Sequence, residues 1–527
     1  MKILVSDSLS GEGLDILKDS GFDVVVDTGL SEDQLVEKIK DVDALVIRSG
    51  TQVTARVIEA ADNLKIIGRA GVGVDNVDVD AATKKGIIVS NTPDGNTLSA
   101  AEHTCAMMMA VARNIPQACA SLKSEKWERN KFMGVEFNKK VLGVIGLGRI
   151  GAEVAKRFQS FNMTVLGYDP FVSEERAKSM GITLATVEEI CRKADFITVH
   201  TPLTKETKNL INTDMFNVMK PTARIVNCAR GGIINEEDLA AAVESGKIAG
   251  AAIDVFVEEP PFNSSGAGLL KSDKIIVTPH LGASTVEAQV NVAIDIAHEI
   301  INVLNGEGAK SAVNIPAVRP EVMEVISPYV KLAEVSGKIA ATLIGGSYDK
   351  VELAYNGDIS TKDVRTVTLA ALKGALAVAV GAGVNYVNAP GLAKSRGIEV
   401  SEKKSETSGE YASVFTMTVS GGGKSASVSG TAIGNDIKII QINQTRVDVF
   451  PSAHMIFADH INKPNVIGPC CQILGENNIN ISGMQVGHVA VGEPTIMVIS
   501  VDSDVPEDVL SKLTTVDGVL SAKIVEI

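Results

Sequence analysis

Gly146, Gly148 and Gly151 stand at G-x-G-x-x-G spacing, directly after the apolar run Val141 to Ile145. From Ala152 to Phe158 the apolar positions then recur at helical period. A strand that enters a tight glycine turn and then a helix is built to hold a dinucleotide. The first glycine permits the turn, the second lets backbone amides approach a pyrophosphate, and the third lets helix and strand pack closely. The helix start adds unpaired N–H groups and the positive end of its dipole. A second strand, Met163 to Asp169, ends in a carboxylate. An Asp there accepts hydrogen bonds from the ribose hydroxyls of NAD and repels the extra phosphate of NADP. The pattern predicts NAD as cofactor.

Residues that work at strand ends need sheets to hold them. At 527 residues the chain is too long for one core and implies several domains. It is rich in glycine (47) and poor in aromatics (4%), which suits layered α/β units better than a disulfide-rich or disordered class. The net charge of −14 disfavours non-specific binding to nucleic acid or anionic membrane, so any anionic substrate must be met by local arginines and lysines. The cysteines at 105, 119, 191, 228, 470 and 471 show no metal spacing, and no metal is expected. They read as buried reduced thiols of a cytoplasmic protein. Met1-Lys-Ile-Leu-Val runs straight into a strand without a signal-peptide pattern, and no later stretch reads as a membrane-spanning helix.

Taken in order, residues 1–98 alternate short apolar runs (Ile3–Val5, Asp23–Val26, Ala44–Ile47, Lys65–Ile67, Ile87–Val89) with amphipathic segments. That alternation predicts a parallel, doubly wound sheet. Leu98 to Asn114 reads as one long helix, with Met107, Met108 and Met109 as core filling. Further strands are expected at 196–200, 223–227, 249–253 and 274–277, each preceded by a helix, and Val286 to Leu304 reads as another helix. Beyond a linker near Asn314–Pro316, helices are expected at Val322–Ile344 and Asp363–Ala382, and strands at Lys350–Ala354 and Val414–Val419. The charged run Glu402–Glu406 reads as a solvated loop. From 453 the pattern is strand, helix, strand, strand, helix, strand, which is ferredoxin-like.

Five motifs in order, Gly146–Gly151, His200-Thr-Pro-Leu203, Val226-Asn-Cys-Ala-Arg-Gly-Gly232, Asp254–Pro260 and Pro279–Ser284, resemble the NAD-dependent D-2-hydroxyacid dehydrogenases. Gly68–Asn76 and the two-part extension after residue 316 resemble the long-form D-3-phosphoglycerate dehydrogenases within that family. The resemblance implies a flavodoxin-like substrate domain (1–98 plus 281–316) and a Rossmann NAD domain (99–280). It also implies an α+β intervening allosteric domain (317–452) and a ferredoxin-like ACT regulatory domain (453–527). The activity implied is NAD-dependent oxidation of 3-phosphoglycerate to 3-phosphohydroxypyruvate, the first step of serine biosynthesis. Rival readings are a dehydrogenase for glyoxylate or hydroxypyruvate, or a non-catalytic NAD or amino-acid sensor.

The same resemblance assigns roles. His280 is the base for the hydroxyl proton, Glu259 orients it, and Arg230 supplies a two-pronged cation for the substrate carboxylate. Arg149 and Ile150 present backbone to the pyrophosphate beside the glycines. Thr201, Pro202, Cys228, Ala229, Arg230, Asp254, His280 and Gly282 belong to loops around the cofactor, with Cys228 a pocket wall rather than a nucleophile. Val72 and Gly73 offer amides to the substrate carboxylate, Asn76 supports their turn, and Arg48 and Arg69 are candidates for the phosphate. His460 and Asn462 match an ACT loop that binds serine at a dimer interface and Asn480 matches its partner strand, although Asn465 stands where that family often has glycine. A homodimer through the 99–280 unit, or a homotetramer that adds the ACT units, is implied as well.

Overall fold

The computed structural model describes residues 1–316, 318–381 and 383–527. The first sheet is parallel: β1 (Lys2–Val5), β2 (Asp23–Val26), β3 (Ala44–Ile47), β4 (Ile66–Arg69) and β5 (Ile88–Ser90), in the order β2-β1-β3-β4-β5. That is the flavodoxin-like doubly wound order. β3 is buried at every position, as a strand covered by helices on both faces must be. One cover comes from far along the chain. Helix Val286–Leu304 lays Val292, Ile296, Ala297 and Ile300 against Ile3, Val46 and Ile66. The following segment then runs beside β5, where Val313 N–H donates to Val89 O at 2.8 Å.

The second sheet contains β6 (Val141–Ile145), β7 (Thr164–Tyr168), β8 (Thr183–Leu184), β9 (Phe196–Val199), β10 (Arg224–Asn227), β11 (Gly250–Ile253) and β12 (Ile275–Val277). They are ordered β12-β11-β10-β9-β6-β7-β8. This is the Rossmann arrangement with an added strand, and the order reverses between β6 and β9, which opens a crevice above their carboxyl ends. The long helix carrying the methionines is Thr97–Arg113, and Met107 and Met108 are buried against this sheet. A second helix, Ile115–Lys123, follows it at once, because Asn114 takes φ 52 and turns the corner. No α-helix precedes β12. Pro260 and Pro261 restrict the backbone there, and the connection is made by short 3-10 turns, Pro261–Asn263 and Ser265–Lys271.

The third unit packs helices Pro320–Ile344 and Arg365–Val380 against a mixed sheet. Ala382, the expected end of the second helix, lies outside the described residues, as does Ala317, where the unit was expected to begin. Its strands are β13 (Lys350–Gly357), β14 (Glu399–Ser405), β15 (Ser413–Gly421), β16 (Lys424–Ile433), β17 (Asp436–Ile442) and β18 (Thr445–Val449). The charged run expected to be a loop is therefore mostly strand, since Glu402 to Ser405 belong to β14. That strand pairs in parallel with β13 at the sheet edge, where Lys403 also reaches Glu352 of β13 at 3.1 Å and the exposed lysines discourage further pairing.

The last sheet is antiparallel, with β19 (His454–Ile461), β20 (Ile481–Val486), β21 (Pro494–Val501) and β22 (Val519–Glu526) in the order β20-β21-β19-β22. Helices Ile467–Glu476 and Glu507–Leu513 complete a ferredoxin-like unit. Its sheet does not face water on the far side. Met455, Phe457, Ile496, Val498 and Val525 join the core of the third unit. Lys523 reinforces the junction, donating to Thr342 O at 3.1 Å and Leu343 O at 2.6 Å at the end of the long helix. Among the described residues, no helix is long and apolar enough to cross a membrane.

Candidate active site

The glycine turn closes the carboxyl end of β6. Gly146 has φ +96, and a Cβ on it would lie 2.6 Å from His200 O. A Cβ on Gly151 would lie 2.0 Å from Gly146 O, so helix Arg149–Gln159 can sit this close to the strand only without a side chain there. Gly148 caps that helix with no side-chain bond, which leaves its first amides for a ligand. Asp169 is drawn against the turn, accepting from Leu147 N–H at 2.9 Å. Beyond β9, the buried Thr201 hydroxyl has no partner among the described residues, a polar orphan of the kind a bound nucleotide satisfies. These features fit NAD.

Three loops meet at the carboxyl ends of β10, β11 and β12. A Cβ on Gly231 would lie 2.0 Å from Phe256 O, so the loop carrying Arg230 presses directly on the loop carrying Glu259. Glu259 in turn holds His280, with Oε2 at 2.7 Å from Nδ1, while Oε1 accepts from Phe256 N–H at 3.1 Å. Burial raises the Glu259 pKa, but the bonds from His280 and Phe256 outweigh it, and the net shift is downward. The carboxylate is therefore ionised and can only accept, which puts the imidazole proton on Nδ1 and leaves the Nε2 lone pair free. His280 itself sits at φ 55, held there by its N–H donating to Asp254 O at 2.8 Å.

Opposite, the first sheet contributes arginines. Arg230 reaches across the cleft, its Nε donating to Asp75 Oδ2 at 3.1 Å. Its Nη2 lies against Gly73, where a Cβ would be only 2.0 Å away. Asn76 braces this wall by donating to Arg48 O (2.7 Å) and Thr51 O (2.6 Å). The Val72 and Gly73 amides have no acceptor among the described residues. Arg48 and Arg69 each bury an Nε with no partner among the described residues. Burial, and then repulsion from Arg230 and Arg48, lowers the Arg69 pKa to about 10. It remains a cation near neutral pH, within a cluster of like charges that an anion would relieve.

Residues 105–282 match the model of the D-isomer specific 2-hydroxyacid dehydrogenase NAD binding domain, and 325–443 match the D-3-phosphoglycerate dehydrogenase intervening domain. The D-3-phosphoglycerate dehydrogenase of Synechocystis is 47% identical over 528 residues, covering 100% of this chain and 95% of that one. That of Archaeoglobus fulgidus is 45% identical over 529 residues, covering 100% of both. The chain belongs to the D-3-phosphoglycerate dehydrogenase family. Among solved structures, D-lactate dehydrogenase from Aquifex aeolicus, complexed with NAD and lactic acid, matches with a TM-score of 0.55 at 25% identity, over 60% of this chain and 100% of that one.

In this member of the D-3-phosphoglycerate dehydrogenase family, the loop that presents His280 hangs on Asp254, a residue expected at the cofactor, and on two donors the sequence did not single out, His103 and Thr278. Asp254, fully buried, takes the N–H groups of Leu281 (2.8 Å) and Gly282 (2.9 Å), the Thr278 hydroxyl (2.5 Å) and His103 Nε2 (3.1 Å). Burial raises its pKa, yet the bonds from His103, Thr278 and Leu281 bring it below the ordinary value. His103 lies on the long helix and Thr278 just past β12, so only folding brings them to Asp254. Glu236, also buried, steadies the neighbouring loop by accepting from Val257 N–H at 2.7 Å. Cys228 is buried and burial pushes its thiol well up, which disfavours the free thiolate that a nucleophile needs. Arg149 and Ile150 open the helix Arg149–Gln159, Pro202 and Ala229 lie in the loops after β9 and β10, and Arg149 pairs with Asp94 at 2.7 Å.

The candidate effector residues are not gathered in one chain. His460 is buried near the end of β19, and Asn462 just beyond it donates to Val489 O at 2.8 Å. Asn480 lies at the opposite end of the sheet, because β20 begins opposite Val501, and Val501 faces His454. Asn480 donates there to Asp502. The physical reason is the antiparallel register, which separates sequence neighbours of β20 from the far end of β19. Asn465 takes φ 63, so it adopts the left-handed turn that glycine would supply.

Proposed function

We propose that the protein oxidises 3-phosphoglycerate to 3-phosphohydroxypyruvate with NAD, the first step of serine biosynthesis. The observation that carries this reading is the 2.7 Å His280–Glu259 pair, set beside an arginine-lined cleft at the edge of the glycine turn. His280 Nε2 takes the hydroxyl proton, and Glu259 keeps Nδ1–H in place and stabilises the cation that forms. Arg230 grips the substrate carboxylate and the reacting oxygen, exchanging Asp75 for the substrate as counter-ion. The Val72 and Gly73 amides receive the same carboxylate, and Arg48 and Arg69 take the phosphate. Gly146, Gly148, Gly151, Asp169, Thr201 and the amides of Arg149 and Ile150 would hold NAD, which would supply the hydride acceptor. The cleft lies between a substrate domain of 1–98 plus 281–316 and an NAD domain of 99–280.

The test is NADH formation with 3-phosphoglycerate beside a panel of phosphate-free 2-hydroxy acids. Preference for a phosphate-free acid rejects the substrate assignment.

The terminal unit, 453–527, is proposed to be an ACT domain that receives serine between two chains. The separation of Asn480 from His460 and Asn462 supports this, since a site using all of them needs a second copy. A homodimer or homotetramer in the cytoplasm follows from the same reading. Calorimetry with serine and light scattering test these two points, and absence of heat counts against the effector.

A further inference from the structure

We propose that His103, Cys228 and Asp254 form a binding site for a thiophilic divalent cation of the zinc and cadmium class, directly beneath the loop that carries His280. Their ligand atoms all lie within 4.8 Å of one another. Tetrahedral zinc, with bonds of roughly 2.0–2.3 Å, holds its ligands under about 4 Å apart, so side-chain rotations of about 1 Å close the site. The ligands come from three separate elements, the helix Thr97–Arg113 and the ends of β10 and β11, which fixes their convergence in the folded chain. Asp254 is fully buried and Cys228 nearly so, while His103 keeps a partly exposed edge through which an ion enters.

The donor set decides the class of ion. A thiolate, an imidazole and one carboxylate select zinc or cadmium and reject magnesium and calcium, which want oxygen. Three protein ligands leave a fourth position for water or for the Thr278 hydroxyl, which lies 2.5 Å from Asp254 and 3.8 Å from the Met107 sulfur. The outer shell is in place as well. Leu281 N–H donates to Oδ1 of the carboxylate and Gly282 N–H to Oδ2, the hydrogen-bonded support that ligating carboxylates require. On binding, the Cys228 S–H bond breaks, a sulfur–metal bond forms, and the proton leaves to solvent. His103 gives up its contact with Asp254 and turns its Nε2 lone pair to the ion, its proton moving to Nδ1.

Occupancy has a consequence for catalysis, which rests on the proposed role of His280. Asp254 holds Leu281 and Gly282 through its carboxylate and His280 through its backbone oxygen. An ion that pulls on this residue displaces the base, and zinc becomes a reversible inhibitor.

The binding claim is tested without reference to activity. Full-length protein freed of metal by chelator dialysis is titrated with cobalt(II) alone, and the same titration is run on Cys228→Ser and His103→Gln. The expected result is a single site with a thiolate-to-cobalt absorption band, absent in Cys228→Ser and weakened about tenfold or more in His103→Gln. The exposed Cys119 and the carboxylate-rich group His454, Asp504 and Glu526 serve as internal controls, since neither combination depends on His103. No thiolate band in the wild type, or a band that survives unchanged in both variants, overturns the proposal. Zinc that binds stoichiometrically but leaves NADH formation unaffected overturns only the inhibitory consequence.

Discussion

Replacing Glu259 with Gln probes how the imidazole is oriented. Each carboxylate oxygen of Glu259 has one donor, His280 Nδ1 at 2.7 Å and Phe256 N–H at 3.1 Å. A carboxamide cannot serve both. With its oxygen toward His280, its NH2 faces the Phe256 N–H and a partly buried donor is orphaned. With the amide reversed, NH2 faces Nδ1, the ring proton moves to Nε2, and the lone pair meant for the substrate hydroxyl is lost. A hydrogen bond to a charged group contributes about 1.5–3 kcal/mol. At about 1.4 kcal/mol per factor of ten, kcat/KM should fall roughly ten- to more than a hundredfold. Cofactor affinity should be nearly unchanged, because no part of the glycine turn is touched. The assay is steady-state NADH formation, accompanied by a fluorescence titration of NADH and a melting curve. Glu259→Asp keeps the charge but shortens the reach and should fall between the two. The reasoning is refuted if Glu259→Gln turns over within about twofold of the parent, or if the loss appears wholly as weaker NADH binding.

Gly151→Ala places a methyl 2.0 Å from Gly146 O, a backbone atom that cannot turn aside, so NADH affinity should drop by more than about tenfold; an unchanged Kd counts against the turn as the pyrophosphate site. Arg69→Gln should raise KM for 3-phosphoglycerate about tenfold or more while leaving that for NAD alone, from the loss of one charge-assisted contact; equal changes in both would move Arg69 out of the substrate site. Gly374→Ala puts a methyl 2.0 Å from Glu334 O and wedges apart the paired helices of the third unit, at a cost of about 1–3 kcal/mol. Faster limited proteolysis in 320–527 should report it, and an unaltered digestion pattern would contradict the packing. Asp254 and Glu259 have folded pKa values below their unfolded ones. Their stabilising contribution is thus complete above the ordinary carboxylate range and disappears as pH falls through the lowered values. Melting temperature should decline on acidification, and less steeply in Asp254→Asn; parallel curves would argue that this carboxylate is not linked to folding.

Some of the site was legible because its demands are local. Gly146 needs φ +96 and Gly151 needs room against a strand, so residue type at fixed spacing announces the turn before any fold is known. Asp169 follows from the end of the next strand for a similar reason. The pairing of His280 with Glu259 could be expected only through motif resemblance, since nothing in their spacing says that a loop and a turn will bring them within 2.7 Å. His103 and Thr278 gave no signal at all. Each becomes meaningful only beside a buried carboxylate, and burial of Asp254 is a property of the assembled sheet. β14 escaped notice because an edge strand is held by backbone pairing, and its Lys403 and Lys404 carry no apolar alternation to reveal it.

What the chain determines by itself is its set of parts: four sheets' worth of apolar periods, a glycine turn, and the chemical types that can move a proton and bind an acid. These are written in backbone preferences and in hydrophobic period, both of which act over a few residues. Only the tertiary structure decides which of those groups meet. It sets Arg230 against Gly73 across a cleft and holds Asp254 in a ring of donors from the long helix and the segment after β12. It also sends Asn480 to the far end of its sheet from His460. Strand register and helix return make those contacts, and both depend on burial of surfaces hundreds of residues apart along the chain.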